Sequence, residues 1–255
     1  INTNKKTRII EIVMICFILV GILIFIIIDY QNIFNKFKLV FIEKNGTSRI
    51  LKGLLNTFII SISGLIIGLI IGTIINILNF SKSNSVIMII LRKLCSYYLS
   101  IFRGTPLMVQ LLIIYFIIFA SVRGQELTIA IIAYGLNSGA YVSEILRGGI
   151  NAVPKGQLEA GLSLGLSYNQ TMEKIIIPQA IRNAFPSIGN EFISLIKETS
   201  IVGFIGAVEL TKVFKETATF QYTMAYLIMG IIYFIIVLII SKLFQLFEMR
   251  ILNYD

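Results

Sequence analysis

The sequence predicts an all-α polytopic membrane protein with six transmembrane helices and a structured loop between the fourth and fifth. Three observations carry this. Of the 255 residues, 56% are hydrophobic and 14% charged, against about 45–50% apolar and about 25% charged in soluble domains. The mean hydropathy is +0.88. Uncharged runs approaching or exceeding the roughly 20 residues needed to cross a bilayer recur along the chain. This composition excludes an ordinary soluble enzyme, a disordered chain and a nucleic-acid-binding domain. The net charge of +9 is therefore first a topology signal, because Lys and Arg collect on cytoplasmic loops.

The first uncharged run, 12–28, follows Lys5, Lys6 and Arg8, and no small-residue cleavage site precedes Asp29. It reads as a signal-anchor helix that stays in the membrane, and with the following loop it makes up an N-terminal segment, 1–49. The second run, 53–81, carries Gly64, Gly68 and Gly72. Small residues at every fourth position let helices approach closely in lipid, and packing within the subunit is preferred here over contact between subunits. The third run, 104–122, opens on Arg103-Gly-Thr-Pro106. Proline suits the first turn of a helix, and Arg103 is placed to anchor at the headgroups or to pair across the subunit. The fourth run is 127–143. The fifth, about 187–208, is interrupted by Glu191, Lys197 and Glu198, and the sixth is 217–241. With the N-terminus inside, thirteen Lys and Arg fall on cytoplasmic segments and eight on outer ones, with Lys197 in a span. That bias favours both termini inside, although the basic loop 30–53 works against it.

The residue inventory narrows the chemistry. There is no His, which removes HExxH metalloproteases and Ser-His-Asp triads. Cys16 and Cys95 lie far apart and imply no disulfide framework. No metal-ligand cluster and no nucleophile–base pair stand out, so no catalytic or metal-binding residue is expected. A stand-alone secondary transporter predicts internal inverted repeats, and none is convincing.

Some forty residues separate the fourth and fifth runs. Gln157 to Leu164 is good helix sequence after a Pro-Lys-Gly turn, and Gly165 sits where a left-handed C-terminal cap favours glycine. A second helical piece from about Tyr168 is expected to end at Pro178. This loop is read as a helix–turn–helix on the cytoplasmic face, either a connector or a docking platform for a soluble partner.

Here the sequence resembles a known family. Glu159-Ala160-Gly161, then Gly165, then Ile175-x-Ile177-Pro178 match the EAA loop of ABC importer permeases. Arg103 to Gln110, Asn137 to Tyr141, Glu144 to Ile150, Pro154 to Gln157, Gly189 to Glu191, Lys197 to Ser200 and Glu209 to Thr211 resemble its polar amino-acid uptake branch, in order over roughly 50–250. Gly161 departs from the motif, which usually has a second alanine, but a small residue is kept. The resemblance implies a five-helix importer core at 50–255, with the N-terminal helix as an addition and a coupling loop at about 147–180. It further implies a second permease subunit, homo- or heterodimeric, and two ABC ATPase subunits beneath. An extracytoplasmic binding protein would deliver a polar amino acid, or a close derivative, from outside for this chain to carry across the bacterial cell membrane. No G-x-x-x-x-G-K-[ST] is present, so ATP and its magnesium are expected on the partner ATPase and no cofactor on this chain. Partners would be these proteins and membrane lipid, not nucleic acid. The resemblance implies ATPase-coupling roles for Gln157, Glu159, Ala160, Gly161, Gly165 and Pro178.

Charges inside a membrane are costly and usually functional. On the fourth helix Asn137, Tyr141 and Glu144 share a face; on the fifth Glu191 shares a stripe with Ser187, Ser194 and Glu198, beside Lys197. An amino-acid zwitterion needs donors for its carboxylate and acceptors for its ammonium, and these two stripes offer both. Asn137, Tyr141, Glu144, Glu191 and Lys197 are therefore the candidate substrate pathway. The competing reading is internal pairing, Glu144 with Arg147 and Lys197 with a glutamate or helix-end carbonyls.

Overall fold

The computed structural model describes residues 46–81, 83, 85–122, 124–218 and 224–252, with the single positions 17, 20 and 41. The expected N-terminal helix at 12–28 lies, but for two of those positions, outside the described residues. Every regular element described is helical. In order they are α1 (Gly46–Phe80), α2 (Val86–Gly104), α3 (Leu107–Ile113, prolonged by a π-helical turn Ile114–Ile118) and α4 (Glu126–Asn151). Then come α5 (Lys155–Ser163), α6 (Tyr168–Thr171, followed by a π-helical turn Met172–Ile176), α7 (Ile177–Glu198, running into a 3-10 turn Thr199–Ile205), α8 (Leu210–Ala218) and α9 (Met224–Leu252). Among the described residues α1, α4 and α9 are long and apolar enough to cross a membrane, and α2 with α3 make a fourth passage if the bent pair is one span.

The bundle is organised on a close contact between α1 and α4, which run side by side in the same direction. A Cβ added at Gly64 would meet the Tyr134 Cβ at 3.0 Å, at Gly68 the Ser138 Oγ at 2.7 Å, and at Gly72 the main-chain nitrogen of Ser143 at 2.7 Å. The fit is reciprocal: a Cβ on Gly135 of α4 would meet the Ile67 Cγ2 at 2.5 Å. The glycine stripe is thus an intrasubunit seam, as the sequence suggested. Asn76 closes its lower end, donating to the Ser143 carbonyl at 2.8 Å and the Gly72 carbonyl at 2.9 Å. One apolar core gathers Ile60, Leu111, Ile129, Tyr134 and Leu195 between α1, α3, α4 and α7. A second joins Ile50, Ile196, Leu210, Phe214 and Ala225, bringing α8 and α9 onto α7. The opposite faces of α1 and α9 expose Ile66, Ile70, Ile74, Phe234, Ile235 and Leu238, an apolar surface suited to a membrane or to another apolar helix.

The third and fifth spans differ most from the sequence expectation; the sixth, expected at 217–241, runs over Met224–Leu252, since Thr217 and Ala218 end the preceding helix Leu210–Ala218. The third is not a helix starting at Gly104. The chain forms α2 first, breaks, and turns by 111° into α3. The reason is Pro106: its ring forces the preceding residue out of the helical region, and Thr105 is extended at φ −126°, ψ 148°. Arg92, Lys93 and Arg103 break the apolar run of α2, which is why no span was expected there. The fifth helix starts at Ile177, about ten residues early, and Pro178 opens it instead of closing the piece before. The helix is continuous through the π-helical turn Met172–Ile176, and that wider turn just before Pro178 accommodates its ring and its missing N–H.

Candidate functional site

The loop after α4 folds as the expected helix–turn–helix. α5 ends in a Schellman motif: Leu166 N–H donates to the Gly161 carbonyl at 3.2 Å and Gly165 N–H to the Leu162 carbonyl at 3.0 Å. Gly165 takes φ +82° with open space around its Cα, so glycine is required there by conformation and not by crowding. Ser167 then caps α6 through a reciprocal box with Gln170, whose main-chain N–H it accepts at 3.3 Å and whose side-chain oxygen takes the Ser167 N–H at 2.9 Å.

The two arms touch at Gly161. A Cβ there would lie 2.4 Å from Thr171 Cγ2 and 2.9 Å from Thr171 Oγ1. Thr171 is fully buried, with its hydroxyl on the Ser167 carbonyl at 3.0 Å. This contact explains why the chain carries glycine where the EAA pattern has alanine. Val153, Ile176 and Ala180 form a small core beneath, with Leu158, Met172 and Ile175 packed on it. Gln157, Glu159 and Ala160 are exposed on α5, and Pro178 is exposed at the start of α7. Two exposed leucines join them at the tip: Leu162, and Leu164 at 81% exposure. Their spacing beside a glycine-capped polar helix was the sequence signal for them, and hydropathy reasoning passed over it.

In the spans the five pathway candidates separate. No hydrogen bond or ion pair joins any two of them among the described residues. Asn137 is buried, donating to the Gln110 side-chain oxygen at 2.9 Å and the Phe102 carbonyl at 3.4 Å. Gln110 in turn donates to the Phe102 carbonyl and the Thr105 carbonyl, each at 2.9 Å, and to Thr105 Oγ1 at 2.8 Å. These amides serve the main-chain oxygens exposed by the break between α2 and α3, which lipid could not. Glu144 pairs with Arg147 and lies 3.4 Å from Arg103, so internal pairing describes it. Glu191 accepts from Ser138 Oγ at 2.8 Å, tying α7 to the seam residue opposite Gly68. Tyr141 is 40% exposed. Lys197 is exposed and makes no ion pair with the described residues. Sequence reasoning missed Gln110, Ser138 and the pairing of Arg103 with Glu144, because each depends on contacts between distant helices. Among the described residues no cluster of His, Cys, Asp or Glu could hold a metal ion.

The amide brace is testable. Asn137→Leu leaves the Gln110 oxygen without its donor in a medium that offers none, a loss of about 1–3 kcal/mol. The expected result is a lower Tm for the detergent-solubilised subunit; an unchanged melting curve counts against the brace.

Comparison with known proteins gives a consistent result. The family model described as "Binding-protein-dependent transport system inner membrane component" matches residues 64–253. The arginine transport system permease protein ArtQ of Bacillus subtilis is 39% identical over 210 residues, 81% of this chain and 94% of its own length. The L-cystine transport system permease protein TcyB of the same organism is 38% identical over 206 residues, 79% of this chain and 86% of its own. The crystal structure of an amino acid ABC transporter with histidines superposes with a TM-score of 0.73 at 38% identity, covering 80% of this chain and 94% of that one. A chain of the inward-facing MetNI methionine ABC transporter, at 18% identity, shares the fold with a TM-score of 0.70 and coverage of 82% and 99%.

Proposed function

The chain belongs to the binding-protein-dependent transport system inner membrane components as a permease subunit of an amino-acid ABC importer, and from that premise we propose that it carries a polar amino acid into the cell. ATP with magnesium is hydrolysed on separate ATPase subunits, an extracytoplasmic binding protein supplies the cargo, and a second permease subunit completes the pathway. The permease is a transport subunit and not an enzyme. Residues 50–255 form the transport domain in the cytoplasmic membrane, 1–49 is an appended anchor, and both termini are cytoplasmic. A cysteine placed at Asn45 is then expected to react with an impermeant thiol reagent from outside, and one at Gln157 to be spared; the reverse pattern inverts the orientation.

The observation that carries the coupling role is the hairpin itself. It is closed by a Schellman turn and a capping box, exposes Glu159 with Leu162 and Leu164, and runs without interruption into α7. A rigid lever with a charged and apolar tip suits a cleft on the ATPase. Glu159 supplies a charge-assisted hydrogen bond there, while Gln157, Ala160 and Pro178 border the contact and Gly161 and Gly165 fix the hairpin's shape. Closure of two ATPase subunits would draw two such levers together and rock α4 and α7 as rigid bodies. Glu159→Lys is the direct test: co-purification of the ATPase with the permease is expected to fall, and unchanged recovery would sink the docking role.

For the pathway, the cargo passes between α4 and α7, past Tyr141 and Lys197. Glu144 and Glu191 are reached when their pairs open, and Asn137 holds the broken helix alongside. Exposure of Tyr141 and Lys197 in the membrane-spanning bundle supports this, since groups that lipid cannot solvate need water, protein or cargo. The arginine and cystine permeases among the relatives fit a polar amino acid as cargo. Lys197→Met is expected to impair uptake while the complex assembles and hydrolyses ATP. Glu191→Gln, which keeps an acceptor for Ser138, is expected to assemble and to lose uptake. Normal uptake by both variants removes them from the pathway, and failure of both to assemble makes them structural.

A further inference from the structure

At the hairpin end of the α1–α4 seam lies a cleft of about 430 Å³, walled by Ile77 and Phe80 of α1, Leu146 and Ile150 of α4, and Ile177 and Ile181 of α7. These walls are apolar. A second hollow of about 430 Å³ adjoins it and shares Phe80, Ser81, Tyr168 and Asn169 with it; Ser167 completes a rim that is largely polar. Together they make a mainly apolar slot, with Thr73 and Asn76 also on its wall, ending in a vestibule with a polar rim. Arg92 of α2 is not itself on either lining but is bonded to the rim residue Ser81. Its guanidinium donates to the carbonyls of Leu78 at 3.1 Å, Ser81, and Ser83 at 3.0 Å. It pairs with no carboxylate among the described residues, and its bonds use Nε and one terminal nitrogen, leaving the other for a further acceptor.

We propose that this slot holds an acyl chain of an anionic phospholipid, with the headgroup phosphate in the vestibule on Arg92. Three requirements meet in that occupant: the slot takes an apolar chain, the rim takes polar groups, and the cation beside it takes an anion. An apolar helix of a second subunit would fill the slot but bring no anion to the Arg92 charge, which only carbonyls meet among the described residues. Phospholipid is also the solvent of the bundle, and basic sites between membrane helices at the cytoplasmic boundary suit acidic headgroups. The occupant touches α1 and α4 on one side and Tyr168 and Met172 of the hairpin on the other, so it sits at the joint where the lever meets the spans.

The test uses the full chain assembled with its ATPase subunits in vesicles of phosphatidylcholine with a minority of phosphatidylglycerol. A photoreactive benzophenone side chain replaces Ile181 at the lip of the slot, and the adducts are identified by mass. The expected adduct is phosphatidylglycerol, enriched about tenfold over its share of the vesicle. A probe at Phe234, on the outer face of α9, should take lipids in bulk proportion. Arg92→Gln should bring the Ile181 adducts to bulk proportion. Because Arg92 also fastens the end of α1, Ile150→Trp provides a second variant, filling the slot and removing the lipid adduct without touching those carbonyls. Adducts to a second permease, to residues 1–45 or to the ATPase, or bulk proportions at Ile181 in the unaltered background, overturn the proposal.

Discussion

Gly72→Leu is expected to abolish accumulation of folded permease in the membrane. A side chain at Gly72 would meet main chain as well as side chain: the main-chain nitrogen of Ser143 at 2.7 Å and the carbonyl carbon of Val142 at 3.0 Å, beside the Val142 Cγ1 at 2.9 Å. Repacking cannot relieve such a contact; only parting α1 from α4 can. Parting them also breaks the bond from Asn76 to the Ser143 carbonyl and leaves it unsatisfied in a membrane. Overpacking costs about 1–3 kcal/mol where side chains can give way, and this position lies at or above the upper end. Ile70→Leu on the exposed face of the same helix is the matched control. The measurement is the monodisperse fraction of tagged permease extracted from membranes. Equal recovery of the two variants would show that the seam tolerates a gap.

Gly161→Ala is expected to uncouple the importer by the smallest change available. The added methyl would stand 2.4 Å from Thr171 Cγ2, and Thr171 is buried between the hairpin arms. Uptake should fall by about tenfold or more, corresponding to at least ~1.4 kcal/mol of lost coupling, while the permease still accumulates. Thr171→Ala removes the two nearest atoms, leaving the flexible end of Ile175, Cδ1, at 3.2 Å, yet the Ser167 carbonyl keeps the Thr171 N–H at 2.9 Å. The double variant should therefore recover uptake that Gly161→Ala loses. Lack of rescue would place the defect at the ATPase surface and not between the arms. Gly165 gives the contrasting case. Gly165→Val forces a branched residue into left-handed geometry at about 1–2 kcal/mol, while Gly165→Asn, which tolerates positive φ, should retain most uptake. Equal loss in both would mean that the space at Gly165 matters after all.

The sequence by itself determined the membrane class, the helical fold and the hairpin. These are local properties. A run of apolar residues declares a span wherever it folds, and Gly165 declares a turn because no other residue takes φ +82° so cheaply. The glycine stripe of α1 was legible as a seam for the same reason, since its spacing places Gly64, Gly68 and Gly72 on one helix face. The tertiary structure decided what these features meet. The stripe's partner proved to be α4, and Gly161 proved to be fixed by Thr171, ten residues on. The break before α3 was hidden because the charges on α2 lowered its hydropathy, and the amides that brace it come from two helices, with Gln110 on α3 and Asn137 on α4. The intramembrane polar residues were recognised as costly from sequence, but not sorted. Whether a buried polar group faces cargo or a structural partner depends on which helix stands opposite, and spacing along one helix carries no information about that. Glu144 shows both sides: its bond to Arg147 follows from i,i+3 geometry, while its approach to Arg103 exists only because the chain turns by 111° at Pro106.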